Sequence, residues 1–362
     1  MVYTGLCRME GAQVNPVRIL IVKISAMGDI LHALPVLEYL QQAAPGCEID
    51  WVVEEAFADL LRGNPLIGQL QTVRLKKWKR SPFSWGTAKE VMAARASLTA
   101  RRYDVVIDLQ GNIKSGVITR LTRCPVRLGF EGRVAQERLN RLFTNRQVPL
   151  HADDLHITDQ YLRVASAPFS LDFHDLPLQT AIMTTAEDDH WAASLVQDCQ
   201  ADHLFLCHMG TTWQTKFWST QGWTIIGQRL AAAFPGSVQL FSWGNETEHQ
   251  AVHQVVAAIG GGARVLERLP LRRLAALVKK VDLVVGGDTG IIHLAAAVGT
   301  ATVSYYRASD GLRSGPRGAR HRIIQAPMPC TRCFKTSCSK DMECRASITP
   351  DMVLAAIRQL VT

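Results

Sequence analysis

No uninterrupted apolar run in this 362-residue chain approaches the roughly 18 residues of a membrane span, so no spanning helix is expected. Residues 1–16 carry Arg8 and Glu10 but no apolar h-region. They read as a flexible N-terminal extension rather than a signal peptide, and the expected compartment is the cytoplasm, where thiols stay reduced. No G-x-G-x-x-G follows the first apolar strand and no G-x-x-x-x-G-K-[ST] occurs anywhere, which counts against an NAD enzyme and a P-loop NTPase. No D-x-D stands at a strand end to clamp a diphosphate through a metal. There is no short internal repeat and no low-complexity tract. The interleaving of aromatic and basic residues that marks RNA modules is also missing, so nucleic acid is not an expected partner.

What is present describes a soluble globular protein long enough for two domains, 47% hydrophobic and 20% charged. A net charge of +8 points to an anionic partner or serves solubility alone. The chain is organised around Val17–Leu34, V-R-I-L-I-V-K-I-S-A-M-G-D-I-L-H-A-L. Its first eight residues read as a strand buried on both faces, followed by the turn Ser25-Ala26-Met27-Gly28 and a helix opening at Asp29. Gly28 lets a ligand approach the backbone, and Asp29 sets a carboxylate at a helix start, as a cap or as a working acid–base group.

Further strands are read at Glu48–Val53, Leu70–Leu75, Val105–Leu109 and Val126–Phe130. Beyond a linker at Pro168–Pro177 come His203–Cys207, Val238–Phe241, Asp282–Val285 and Ala301–Tyr305. Helical patterns lie between them, the first bent by Pro35. Lys76–Arg80 reads as a basic loop and Arg133–Phe143 as a basic helix. The alternation predicts an α/β protein of two Rossmann-like, doubly wound domains facing across a cleft. They span 17–170 and 178–349, with a C-terminal helix over 350–362.

The chemistry-bearing residues fall in strand-to-helix turns. In Gly286-Gly287-Asp288-Thr289-Gly290-Ile291-Ile292-His293 the free N–H groups of a helix start make an anion site that suits a diphosphate. Thr289 adds a hydroxyl, Asp288 can accept from sugar hydroxyls, and His293 lies one turn into the helix. Gly210-Thr211-Thr212-Trp213-Gln214-Thr215-Lys216 offers small hydroxyls and an ammonium to phosphate oxygens. Glu248, with Glu246 as competitor, is placed for a ribose diol or is a solvated helix-start carboxylate. Lys76, Lys77, Lys79 and Arg80 around Trp78 can grip phosphates of a lipid head group or of nucleic acid, or are simply solvated. Asp108-Leu109-Gln110-Gly111-Asn112-Ile113-Lys114-Ser115 is a ligand turn or an ordinary one. Cys330-x2-Cys333-x4-Cys338-x5-Cys344 can hold one structural zinc, form a redox pair, or be free thiols.

Seven pieces occur in an order and spacing found in one family. They are V-K-I-S-A-M-G-D-I-L-H-A-L-P at 22–35, D-W-V-V-E-E-A-F at 50–57, K-K-W-K-R at 76–80, D-L-Q-G-N-I-K-S at 108–115, T-T-x-x-x-K at 211–216, W-G-x-x-x-E at 243–248 and D-T-G-x-x-H-L-A-A at 288–296. With them the chain resembles the heptosyltransferases of lipopolysaccharide core synthesis, glycosyltransferase family 9, and is most similar to the type I members. The resemblance implies a GT-B fold and inverting transfer of heptose from ADP-heptose to Kdo-lipid A, with no cofactor required. It implies Asp29 as general base. Thr211, Thr212, Lys216, Thr289, Gly290 and His293 would surround the donor diphosphate, Asp288 would meet the sugar and Glu248 the ribose. Lys23, Ser25, Gly28, Lys76, Lys77, Lys79, Gln110, Lys114 and Arg138 would lie toward the acceptor. A lipid-linked acceptor implies peripheral contact with the cytoplasmic face of the inner membrane, and a monomer is expected. The chain departs from the pattern at Ala26, where a second Ser is common, at Gln136, where an Arg is expected, and beyond Arg307. Rival expectations are another nucleotide-sugar donor or a later heptose acceptor (type II or III), a nucleotide-sugar epimerase on the same fold, and a basic binding module without catalysis.

Overall fold

The computed structural model describes residues 16–361. The extension expected at 1–16 lies outside the described residues except for Pro16, as does Cys7. The chain divides into two units, one ending at Met183 and the other beginning at Thr184.

The first unit carries β1 (Arg18–Val22), β2 (Glu48–Glu54), β3 (Leu70–Val73), β4 (Val105–Asp108), β5 (Val126–Phe130) and β6 (Arg146–Val148). They form one parallel sheet in the order β3-β2-β1-β4-β5-β6. The second carries β7 (Leu204–His208), β8 (Val238–Ser242), β9 (Ala263–Val265), β10 (Leu283–Gly287), β11 (Ala301–Tyr306) and β12 (His321–Gln325). Its sheet is also parallel, in the order β12-β11-β10-β7-β8-β9. Counted from each unit's first strand, the two sheets share the doubly wound order 3-2-1-4-5-6. Each sheet therefore has a switch point, β1/β4 in the first and β7/β10 in the second, where neighbouring crossovers leave to opposite faces and open a crevice at the carboxyl ends.

Burial explains the strand composition. Ile19, Leu20, Ile21 and Val22 are fully buried, as a central strand covered by helices on both faces requires. In the second unit Phe205, Phe241, Leu283 and Val303 pack with Trp218, Trp223 and Ile357, so the last helix, Pro350–Arg358, belongs to this core.

Several expectations change. The first helix is Met27–Ala33, opening two residues before Asp29, and Pro35 does not bend it but begins a separate helix, Pro35–Ala43. The basic stretch expected as a loop is a short helix, Leu75–Arg80. The basic helix expected at Arg133–Phe143 is turns ending in a single 3-10 stretch, Arg138–Leu142. The expected linker is not where the units part. Tyr39 Oη donates to the Leu171 carbonyl at 2.8 Å and Asn64 Nδ2 to that of Ala181 at 3.0 Å. Phe173 and Ile182 are buried, so this strap packs on the first unit despite its two prolines.

Candidate active site

In the first unit the switch point sets Asp29 beside the turn that follows β4. Asp29 is the third residue of its helix. Its Oδ2 accepts from the Ala26 N–H at 3.1 Å, so it does cap. Its Oδ1 accepts from the Tyr161 hydroxyl, also at 3.1 Å. That hydroxyl in turn receives a bond from Lys23 Nζ at 2.8 Å. Capping and acid–base work are thus not alternatives: the cap holds the carboxylate in one orientation while it remains half-buried.

Two expected acceptor groups act from behind. Lys23 is 2% exposed, its ammonium held by the Leu109 carbonyl and by Tyr161, which links it to Asp29. Gln110 is also buried. Its Oε1 accepts from the N–H groups of Ile24 and Ser25 at 3.1 and 3.0 Å, and its Nε2 faces Gln136. It braces the turn that carries Ser25, Gly28 and Asp29. The turn after β4 is itself built round Asp108, which is fully buried. Its carboxylate accepts from the Gln110 and Gly111 N–H groups, Ser115 Oγ and Asn140 Nδ2. Burial raises the Asp108 pKa against those bonds. Gly111 has φ +71°, and a Cβ there would press on Phe130 at 3.3 Å.

The remaining acceptor candidates sit at other carboxyl ends of the same sheet. Lys76, Lys77 and Lys79 follow β3; Lys77 bonds Glu90 at 2.6 Å, whereas Lys76 and Lys79 are exposed with no ion pair among the described residues. Lys114 is exposed in the helix after β4. Arg138, with Arg133, Arg141, Glu131 and Gln147, lines a hollow of about 240 Å³ beyond β5. Nothing in the sequence singles out Tyr161, which lies in the helix Ile157–Ser166, far along the chain from Asp29.

In the second unit the switch point gathers the other motifs. Asp288 follows β10 and Lys216 follows β7. Lys216 Nζ donates to Asp288 Oδ2 at 2.5 Å, and Asp288 Oδ1 lies 3.2 Å from His293 Nε2. Burial alone would raise the Asp288 pKa; His293 and then Lys216 outweigh it and hold the carboxyl well below the usual range. Lys216 Nζ also lies 4.6 Å from the centre of the Trp213 ring. Thr289 is the N-cap of the helix Gly290–Ala297, yet its side chain makes no cap bond and its buried hydroxyl has no hydrogen-bond partner among the described residues. An orphaned hydroxyl beside free helix-start N–H groups, one ammonium and a buried imidazole is a site made for an anion. The Thr211 and Thr212 hydroxyls likewise make no hydrogen bond among the described residues.

Glu248 is not a solvated helix-start residue. It is 9% exposed; its Oε2 accepts from the Gly244 N–H and its Oε1 from Asn245 Nδ2, both at 2.7 Å. A Cβ on Gly210 would strike this carboxylate at 2.2 Å, so the glycine brings the β7 turn and Glu248 together. Glu246, its competitor, points to solvent with His249 at 3.5 Å. Glu248 keeps lone pairs for a diol.

Two further residues carry no sequence signal. His208 ends β7 and its Nδ1 lies 3.0 Å from Ser242 Oγ. Burial lowers its pKa to about 4. The unfolded chain takes up this proton near pH 6.5, so between about 6.5 and 4 the unfolded state binds more protons and stability is lost as the pH is lowered, by about 3 kcal/mol at the acid end. H208Q is expected to flatten that part of the urea-denaturation profile; an unchanged slope would remove His208 as its source. The second is Arg307, 1% exposed at the end of β11. Its guanidinium bonds the Phe217 carbonyl, next to Lys216, and both the carbonyl and Oδ1 of Asp341 at 2.7 Å.

Asp341 belongs to the cysteine-bearing segment. Thr215 Oγ1 also donates to the Lys335 carbonyl there, at 2.6 Å. Cys330, Cys333, Cys338 and Cys344 are unpaired thiols. Their donor set does not fit a metal as placed: among the described residues no three His, Cys, Asp or Glu side chains are grouped to hold one. What this segment does visibly is brace the Lys216 turn.

Comparison with known proteins places the chain in a family. Residues 91–343 match the model of glycosyltransferase family 9 (heptosyltransferase). Lipopolysaccharide heptosyltransferase 1 of Pseudomonas aeruginosa is 31% identical over 325 residues, 89% of this chain and 87% of that protein. The Escherichia coli K12 heptosyltransferase 1 is 31% identical over 86% of this chain and 94% of its own length. The solved structure of E. coli heptosyltransferase WaaC with ADP-2-deoxy-2-fluoro heptose superposes with a TM-score of 0.74 at 28% identity, covering 95% of this chain and 99% of that one. Matched over most of its length, this chain belongs to glycosyltransferase family 9, the heptosyltransferases.

Proposed function

We propose that this chain transfers L-glycero-D-manno-heptose from ADP-heptose to the Kdo of Kdo-lipid A, with inversion at the anomeric carbon. The observation that carries the reading is the convergence of Lys216, Asp288, His293 and the unpartnered Thr289 hydroxyl at one amide-rich helix start. The likeness to heptosyltransferase 1 supports the choice of sugar and acceptor.

In this reading the ADP moiety binds the second unit. Glu248 takes the ribose diol, Thr211, Thr212, Thr289 and the Gly290 N–H surround the diphosphate, and Asp288 holds the sugar. Asp29 of the first unit takes the proton of the acceptor hydroxyl as its oxygen bonds the anomeric carbon. The bond from that carbon to the β-phosphate oxygen breaks, and ADP leaves with the electron pair. Helix-start N–H groups and Lys216 stabilise the charge that develops there, the role a metal would otherwise fill, so transfer is expected to persist in EDTA. The reading takes the enzyme as a cytoplasmic monomer meeting its acceptor at the inner membrane.

Incubation of the purified chain with ADP-heptose and Kdo-lipid A tests it: ADP release with addition of one heptose is expected. Release only with an already heptosylated acceptor would make it a type II or III enzyme, and release only with another nucleotide sugar would move it to a different donor. K216A is expected to weaken ADP binding about tenfold, the loss of roughly 1.4 kcal/mol from one charge-assisted contact. Unchanged affinity in calorimetry would remove Lys216 from the diphosphate.

A further inference from the structure

The segment from Leu75 to Ala100 has the chemistry of a bilayer-docking element. Phe83 is 100% exposed and Trp85 81% exposed, two residues apart at the junction of two helices, Leu75–Arg80 and Trp85–Ala100. A folded domain rarely leaves two adjacent large aromatics in water unless they meet another surface. The second helix is just as unusual: of its 16 residues only Thr87 and Leu98 are buried. Met92, 57% exposed, lies seven residues after Trp85 and so on the same helical face, with Ala88 between them. Trp85 and Met92 thus share an exposed apolar helix face, with exposed Phe83 just ahead of it, and nothing among the described residues covers them.

Around it stand cations. Lys76, Lys79, Arg80 and Lys89 are exposed, and none is ion-paired among the described residues. The acids nearby are already engaged: Glu90 by Lys77, Arg74 and the Trp78 indole, Glu55 by Arg74. Those four cations are therefore free to meet anionic head groups. Aromatics flanked by uncompensated lysine and arginine fit one partner class, the interface of an anionic bilayer. There the rings sit at the head-group boundary and each nearby cation adds about 1 kcal/mol of attraction.

We propose that Phe83 and Trp85 insert into the surface of an anionic membrane, with Lys76, Lys79, Arg80 and Lys89 on its phosphates. The inference extends the proposed function, since it says where a lipid-linked acceptor would be met. Its test is independent of transfer. Vesicles of phosphatidylcholine with or without phosphatidylglycerol, containing no lipopolysaccharide precursor, are mixed with the full chain and sedimented. Sedimentation is expected with the anionic vesicles only, and is expected to weaken in high salt. The double variant F83S/W85S is expected to partition at least tenfold less. Neither side chain packs against the core, so its thermal unfolding should match wild type, as should ADP release with a delipidated acceptor. W85F should still bind while losing the part of tryptophan emission that brominated lipids quench. Absence of sedimentation, or F83S/W85S binding as wild type does, would overturn the proposal and leave the transfer reading standing. Loss of transfer with binding intact would do the reverse.

Discussion

D29N is expected to lower kcat by a factor of about 10² to 10⁴, the range of general-base catalysis, while ADP binding stays within twofold of wild type. The amide is close in shape to the carboxylate and still offers one oxygen, so the bond from Tyr161 or from the Ala26 N–H can survive, and asparagine is itself an acceptable helix-start residue. What it cannot do is take a proton. The residues that face the nucleotide in our reading all come from the second unit, so donor affinity is the internal control. Y161F separates positioning from catalysis: it removes the hydroxyl between Lys23 and Asp29 but leaves the base, and a smaller fall in kcat with a displaced pH profile is expected. Turnover of D29N within tenfold of wild type would show that the proton goes elsewhere.

The legibility of this site in the sequence follows from where its residues lie. Strand ends after apolar runs are easy to find, and Asp29, Lys216, Glu248 and Asp288 each stand a few residues beyond one. Because all strands in a sheet are parallel, their carboxyl ends share one edge, which is why turns scattered over 288–293 and 211–216 meet. The residues that reading missed act from within. Tyr161 comes from mid-helix and His208 from the last position of a strand, and neither is marked by a motif. Lys23 and Gln110 were legible as site residues but not as supports, because burial of a polar side chain is a tertiary outcome that periodicity does not record. The missed strands, β6, β9 and β12, are all at sheet edges. Arg-Gln-Val, Ala-Arg-Val and His-Arg-Ile-Ile-Gln are short and half polar, since an edge strand needs no two-sided apolar run. The basic stretch at 76–80 reads as a loop because charge, not periodicity, dominates its composition; Glu54, accepting from the Leu75 N–H at 3.0 Å, helps start that helix from outside it.

D341A is expected to cost about 3 kcal/mol or more of second-unit stability, the range for removing one partner of a buried ion pair. For a unit of this size that is a fall in Tm of roughly 6–12 °C. The reason is Arg307. Its guanidinium is 1% exposed and cannot lose its charge, and Asp341 is the carboxylate that faces it, at 2.7 Å. Arg345 reaches the other carboxylate oxygen at 2.6 Å, so the substitution also strands a second cation. Burial alone would raise the Asp341 pKa, and Arg307 with Arg345 draws it down instead. The effect should not stop at stability. Arg307 also holds the Phe217 carbonyl, one residue beyond Lys216, and the same segment takes the Thr215 hydroxyl at Lys335. Freed from both, the turn that aims Lys216 at Asp288 loosens, and ADP affinity measured well below the lowered Tm should fall several-fold. D341N keeps the oxygen but not the charge and should lie between. A D341A protein whose Tm falls by less than 2 °C would show that Arg307 finds another partner. A large fall in Tm with ADP affinity unchanged would show that the segment holds the core together without steering Lys216.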